Sequence, residues 1–218
     1  MSNELAKIES FGGGRGEFSS REFEKPRLNL VQGVGSLSGL KTPKGETLHA
    51  GDFVLMREYK LHSDSEVTVV SFSKSYLENI DPTGEVRPRE FQTEEEVLAN
   101  GGNFDYQKDR GDHPDNYSPI GRLDLMIQVG EDFPIALDFG GSFYTPAIWR
   151  VARGAFKSIV FRLNAIEAGL KVRREPLSIV KFLLSAERAM RGHFIPRITK
   201  AGTNTPEFVE FVRSIFAS

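Results

Sequence analysis

Residues 122–169, RLDLMIQVGEDFPIALDFGGSFYTPAIWRVARGAFKSIVFRLNAIEAG, decide how the chain is read. Alternation of apolar and polar side chains over Arg122–Val129, and again over Ile135–Phe139, predicts two strands joined by a turn at Gly130. Thr145-Pro146 then has the form of a helix N-cap followed by proline at the first helical position. Ile148, Val151, Ala155, Ile159, Leu163 and Ile166 step by three and four. That spacing predicts one helix from Thr145 to about Glu167, stopped by Gly169.

Outward from this stretch, Ile179–Ala186 and His193–Thr199 read as strands with a turn near Arg191-Gly192. Pro206 opens a last helix whose apolar face is Phe208, Val209, Phe211, Val212 and Ile215. On the other side, Glu66–Tyr76 is rich in β-branched and aromatic residues and reads as a strand. Shorter strands are expected after Pro26, with Leu28, Leu30 and Val34 on one face, and at Phe53–Met56. Between Tyr76 and Arg122, about 81–119 is a long acidic insertion broken by Pro82, Pro88, Pro114 and Pro119. It holds one short helix, Thr93–Ala99, where Thr93 and Glu96 form a capping box.

Residues 1–25 contain Gly12-Gly13-Gly14-Arg15-Gly16 and read as a flexible arm, since glycine loses the most entropy on ordering. The expected fold is therefore mainly β with helices, an α+β class, over residues 26–218. Its core is an OB-fold-like five-stranded barrel with extra N-terminal strands, one long helix between the third and fourth strands, and a C-terminal helix. The alternative is an α+β sheet with helices on one face.

The absence of cysteine excludes disulfides and thiolate metal sites, and fits a cytoplasmic setting. No apolar run approaches the roughly 18 residues of a membrane span, so no membrane partner is expected. Charge is uneven along the chain. Residues 1–121 hold 14 Lys and Arg against 21 Asp and Glu, whereas 122–218 hold 14 against 9. Such asymmetry points to an anionic partner for the C-terminal half.

Catalytic and metal chemistry find little support. His49, His62, His113 and His193 have no zinc-ligand spacing. Asp105, Asp109, Asp112 and Asp115 crowd one segment but lack the alternating pattern and distal glutamate of a calcium loop. The expectation is a non-enzymatic protein with no cofactor.

Cations interleaved with aromatics remain. Arg150, Arg153 and Lys157 lie three and four apart and would form one stripe on the predicted helix. Lys181, Arg188, Arg191 and Arg197 belong to the last strand pair with Phe194, and Lys74 and Tyr76 end the strand from Glu66. Tyr144 and Trp149 add flat side chains near the helix start. Single-strand binders combine a cationic track for phosphates with aromatic platforms for bases. The competing reading of each cation is a solvated surface.

Lys25-Pro26-Arg27-Leu28-Asn29-Leu30-Val31-Gln32-Gly33 followed by Ala50-Gly51-Asp52-Phe53-Val54 resembles the start of a group of phage-encoded single-stranded-DNA-binding proteins built on an OB-fold. Ile135-Ala136-Leu137-Asp138-Phe139 through Tyr144-Thr145-Pro146-Ala147 is similar to that family's strand leading into a helix. Gly192-His193-Phe194-Ile195-Pro196-Arg197-Ile198 is similar to its penultimate strand. The resemblance implies binding of single-stranded DNA with little sequence preference, in DNA replication or recombination in a phage-infected cytoplasm, with replication or recombination proteins as further partners. Homo-oligomerisation is compatible with it. The alternatives are a self-assembling structural or virion-associated protein, and a Mg-dependent enzyme.

Overall fold

The computed structural model describes residues 25–79, 88–104, 116–189 and 192–217. The arm expected at 1–25 lies outside them except for Lys25, as do Asp105, Asp109, Asp112, His113, Asp115 and Arg191. In chain order the strands are β1 (Arg27–Leu30), β2 (Phe53–Leu55), β3 (Tyr59–Lys60), β4 (Glu66–Glu78), β5 (Glu90–Phe91), β6 (Tyr117–Val129), β7 (Leu137–Phe139), β8 (Ser142–Ala152), β9 (Val180–Arg188) and β10 (Phe194–Thr203). The helices are α1 (Glu94–Ala99), α2 (Arg153–Arg173) and α3 (Pro206–Phe216), with one 3-10 turn at Leu177–Ile179. The protein is thus mainly β with three helices, and its sheet curls into a half-barrel.

The sheet runs β10-β9-β4-β6-β8-β1-β2-β3, with β5 added to β4 and β7 to β8. All pairs are antiparallel except β1 with β8. Its spine is the pairing of β4 with β6, each 13 residues long. Val67 and Val69 of β4, Leu123, Leu125 and Ile127 of β6, and Phe182 and Leu184 of β9 turn to the inner face and are buried. The register of β4 slips between Val69 and Ser71. A bulge there keeps Val69 in the inner core while Val70 packs outside against α3, and it adds the twist that curls the sheet.

α2 closes the inner face with Phe156, Ile159, Val160, Leu163 and Leu170. Burying each such side chain stabilises the fold by about 2 kcal/mol. Close approach depends on Gly121, where a Cβ would lie 2.6 Å from Val160 Cγ2 and 2.9 Å from Val151 Cγ2. α3 lies on the opposite, outer face. Thr205 caps it, its hydroxyl accepting from Phe208 N at 3.3 Å, and Phe208, Val209 and Val212 are buried beneath it. The predicted C-terminal helix and the Thr93–Glu96 capping box of α1 are both present.

The decisive stretch departs from its reading. Residues 142–152 form β8 rather than the first half of a helix, and α2 begins only at Arg153 and passes Gly169 to reach Arg173. Thr145, Ala147, Trp149 and Val151 are buried at every second position, a period that a ten-residue ladder with β6 enforces. Pro146 is tolerated for a geometric reason. Ile148 N donates to Pro26 O, so amides of that parity point away from β6. Pro146 shares the parity and falls between the end of β7 pairing at Tyr144 and the start of β1 pairing at Ile148, where no ladder bond is lost.

Three smaller corrections follow from the same pairing. The strand expected at Ile135–Phe139 is only β7, and β8 takes its place as the long neighbour of β6. The extra N-terminal strands are short, Arg27–Leu30 and Phe53–Leu55, and Val34, expected on the face of Leu28 and Leu30, is fully exposed while Val31 is buried. The insertion at 81–119 also ends early, because β6 already begins at Tyr117.

Candidate nucleic-acid interface

Because β6 turns Leu123, Leu125 and Ile127 inward, Arg122, Asp124, Met126 and Gln128 face outward. On β8 the outward residues are Tyr144, Pro146, Ile148 and Arg150. The register sets them in four rows: Arg122 opposite Arg150, Asp124 opposite Ile148, Met126 opposite Pro146, and Gln128 opposite Tyr144. The first two rows are open to solvent or half-open; in the last two, Met126 and Tyr144 lie under α3.

The open half is cationic. Arg150 Nη2 donates to Glu90 Oε2 at 3.3 Å, and Glu90 Oε1 accepts from Ser75 Oγ at 2.7 Å. Arg122 is exposed and has no ionic partner among the described residues. Asp124 accepts from Ser71 Oγ at 2.8 Å and lies 3.6 Å from Lys25 Nζ. Arg27 on β1 stands opposite Ile148. Among the described residues, Arg122, Arg150, Arg27 and Lys25 thus share this surface with the carboxylates Asp124 and Glu90.

The covered half is aromatic. Phe208 sits over Tyr144 with ring centroids 4.8 Å apart, and Phe211 stacks near Phe139 at 5.0 Å with 31° between planes. Burial first, and the Glu66 charge second, hold the Tyr144 phenol above its ordinary pKa, so it stays protonated. Lys25 Nζ lies 4.1 Å over the Phe216 ring, where the aromatic and cationic halves meet.

Other sequence-nominated residues scatter. Arg150, Arg153 and Lys157 do not form one stripe, because Arg150 is on a strand and the other two are exposed at the start of α2. Trp149 is 3% exposed with its ring edge-on to Phe53 at 5.8 Å, so it is a core residue with no face for a base. Tyr76 is likewise buried, packed on Phe104, and its hydroxyl donates to Glu94. Lys74 lies 3.3 Å from the same Glu94 oxygen and 4.6 Å over the Tyr76 ring. Its hydrogen bonding to Tyr76 first, and to Glu94 next, holds the ammonium above its ordinary pKa despite partial burial. Lys74 also lines a groove of about 460 Å³ between β4 and α2, together with Phe72 and Phe161.

Lys181 shares the outer face with Tyr144 but is held 2.7 Å from Glu66. Arg197 on β10 is 2.7 Å from Glu187 on β9, and Arg188 ends β9 opposite Phe194. Phe194 is half-buried, its ring against Gly51, whose Cβ would come within 2.9 Å of it. Arg191 lies outside the described residues. Sequence reasoning missed Arg122, Arg27 and Lys25. Arg122 is legible as an outward position of a strand, but the spacing of Arg150, Arg153 and Lys157 predicts its partner Arg150 on a helix.

Compared with family models, curated proteins and solved structures, the chain matches none. Among the described residues no helix is long and apolar enough to cross a membrane.

Proposed function

We propose that the protein belongs to the class of nucleic-acid binders that use the outer face of a curled, OB-like sheet. Within the ten strands, β10-β9-β4-β6-β8 follow one another with α2 inserted between β8 and β9. Counted along the chain, these are a fifth, fourth, first, second and third strand, the order of a Greek-key barrel left open between third and fifth. In OB-folds the face of the second and third strands, with the loops after the first and fourth, carries oligonucleotides. Here the strands of that rank are β6 and β8, and the connections of the same rank in chain order run from β4 to β6 and from β9 to β10.

The particular reading is a non-enzymatic binder of single-stranded DNA with little base preference, acting in phage-type replication or recombination in the host cytoplasm. One observation carries it: Arg122 lies directly opposite Arg150 across β6 and β8. Like charges at paired positions destabilise a sheet by roughly 0.2–1 kcal/mol. A phosphate between the two guanidiniums reverses that sign and forms charge-assisted hydrogen bonds with both.

The test is a titration of fluorescently labelled oligo-dT in rising salt. Affinity should fall log-linearly, by a slope of roughly 0.7 for each phosphate contacted. Arg122→Ala with Arg150→Ala should reduce the slope by about 1–2 and leave the melting temperature unchanged or raised. Absence of binding at low salt would remove this reading. A large ordered oligomer in light scattering, without oligonucleotide binding, would favour self-assembly instead.

A further inference from the structure

We infer that α3 is a displaceable cover on the same face, and that a bound single strand competes with it for the aromatic half. The inference rests on the nucleic-acid reading above and adds its regulation. The β6–β8 face is one continuous surface of four rows, yet its cations are open while Met126 and Tyr144 are shut beneath α3. A single strand needs both kinds of group together, cations for phosphates and flat rings for bases.

The rings of α3 hold the positions that bases would take. Phe208 covers Tyr144, and both Phe208 and Phe211 pack on Phe139, at 5.2 and 5.0 Å. These contacts are apolar and separable from the fold's anchor. The chain is pinned just before the helix by buried Asn204, whose amide donates to Thr68 Oγ1 and Ser178 O, each at 2.8 Å. Beyond that pin, Phe208, Val209 and Val212 are buried against the sheet, whereas Phe211, Ile215 and Phe216 are half-buried. The inner core of α2 and the sheet does not include α3.

Lys25 couples the two halves. Its ammonium is 3.6 Å from Asp124 Oδ1 and 4.1 Å over the Phe216 ring. A phosphate on the neighbouring Arg122–Arg150 row offers Lys25 a stronger partner than a ring, and its departure loosens the far end of α3. The coupling is reciprocal: whatever loosens α3 tightens binding by the same factor.

Hydrogen exchange on the full chain, with and without oligo-dT at low salt, tests this directly. Amides of residues 206–216 should lose protection on binding while those of β4 and β6 do not. In a second arm, Phe211→Ala should tighten oligo-dT binding about threefold to tenfold, as expected if the open form is a minor population. Tyr144→Leu should cost more affinity in the Phe211→Ala background than in the wild type. Salt-dependent binding by the wild type with unchanged or increased protection of α3 overturns the inference, even where the Phe211 variant is too unstable to assay. So does a folded Phe211 variant that binds no tighter. Failure of every form to bind defeats the nucleic-acid reading itself, and the inference with it.

Discussion

The Gln32 side-chain amide forms a two-way clasp with the backbone of Phe194. Its Nε2 donates to Phe194 O at 2.9 Å, and its Oε1 accepts from Phe194 N at 2.8 Å. Residues 162 positions apart are thereby joined as neighbouring strands would be, at the place where the curl brings the segment after β1 onto the start of β10. The paired donor and acceptor fix the orientation of the amide and help hold the half-barrel's curl.

Gln32→Ala should therefore cost about 1–2 kcal/mol, the worth of two part-buried hydrogen bonds. For a chain of this size that is a fall in melting temperature of roughly 3–6 °C. Gln32→Glu should cost at least as much, because a carboxylate cannot donate to Phe194 O. Thermal unfolding followed by circular dichroism reads both. A neutral Gln32→Ala would mean that α2 and the sheet alone hold the curl.

Gly121→Ala should destabilise by roughly 1–3 kcal/mol, since its methyl would meet Val160 and Val151 within contact distance. Adding Val160→Ala should restore part of the loss by removing the obstructing methyl. Chemical denaturation of the single and double variants checks the pair, and a lack of coupling would contradict the packing of α2 on β6.

Arg153 has φ 53° at the junction of β8 and α2, a left-handed conformation that costs a non-glycine residue about 1 kcal/mol. Arg153→Gly should raise the melting temperature by roughly 2–4 °C. A fall instead would show that the arginine side chain makes a stabilising contact.

Glu78 is buried and accepts from Arg89 N at 2.9 Å and Arg89 Nη2 at 2.8 Å. The Arg89 side chain first, and its backbone amide next, hold the Glu78 carboxyl below its ordinary pKa despite burial. A carboxyl depressed in the folded state stabilises above its unfolded pKa, near about 4.3, and loses that contribution as pH falls through the folded value. Glu78→Gln should lower stability by about 1–2 kcal/mol at pH 7, and the gap to wild type should narrow as pH falls through the depressed folded-state value. Melting curves across that range test it; a gap independent of pH would refute the ionic origin.

What the sequence determined by itself was what a few neighbouring residues decide among themselves. The Thr93–Glu96 capping box, the Pro206 helix start with Phe208, Val209 and Val212, and the alternation around Leu123 and Leu125 all fix their energies within a turn or a strand. The tertiary structure decided the rest. Thr145-Pro146 offers a helix start locally, yet ten rungs of pairing with β6 make it strand, and proline fits only because no neighbour needs its missing amide. That single change moves Arg150 off a helix stripe to face Arg122, turns Trp149 into core, and leaves Tyr144 to be covered by α3. Strand pairing is a contract between distant segments, so its free energy is invisible to any local window of sequence.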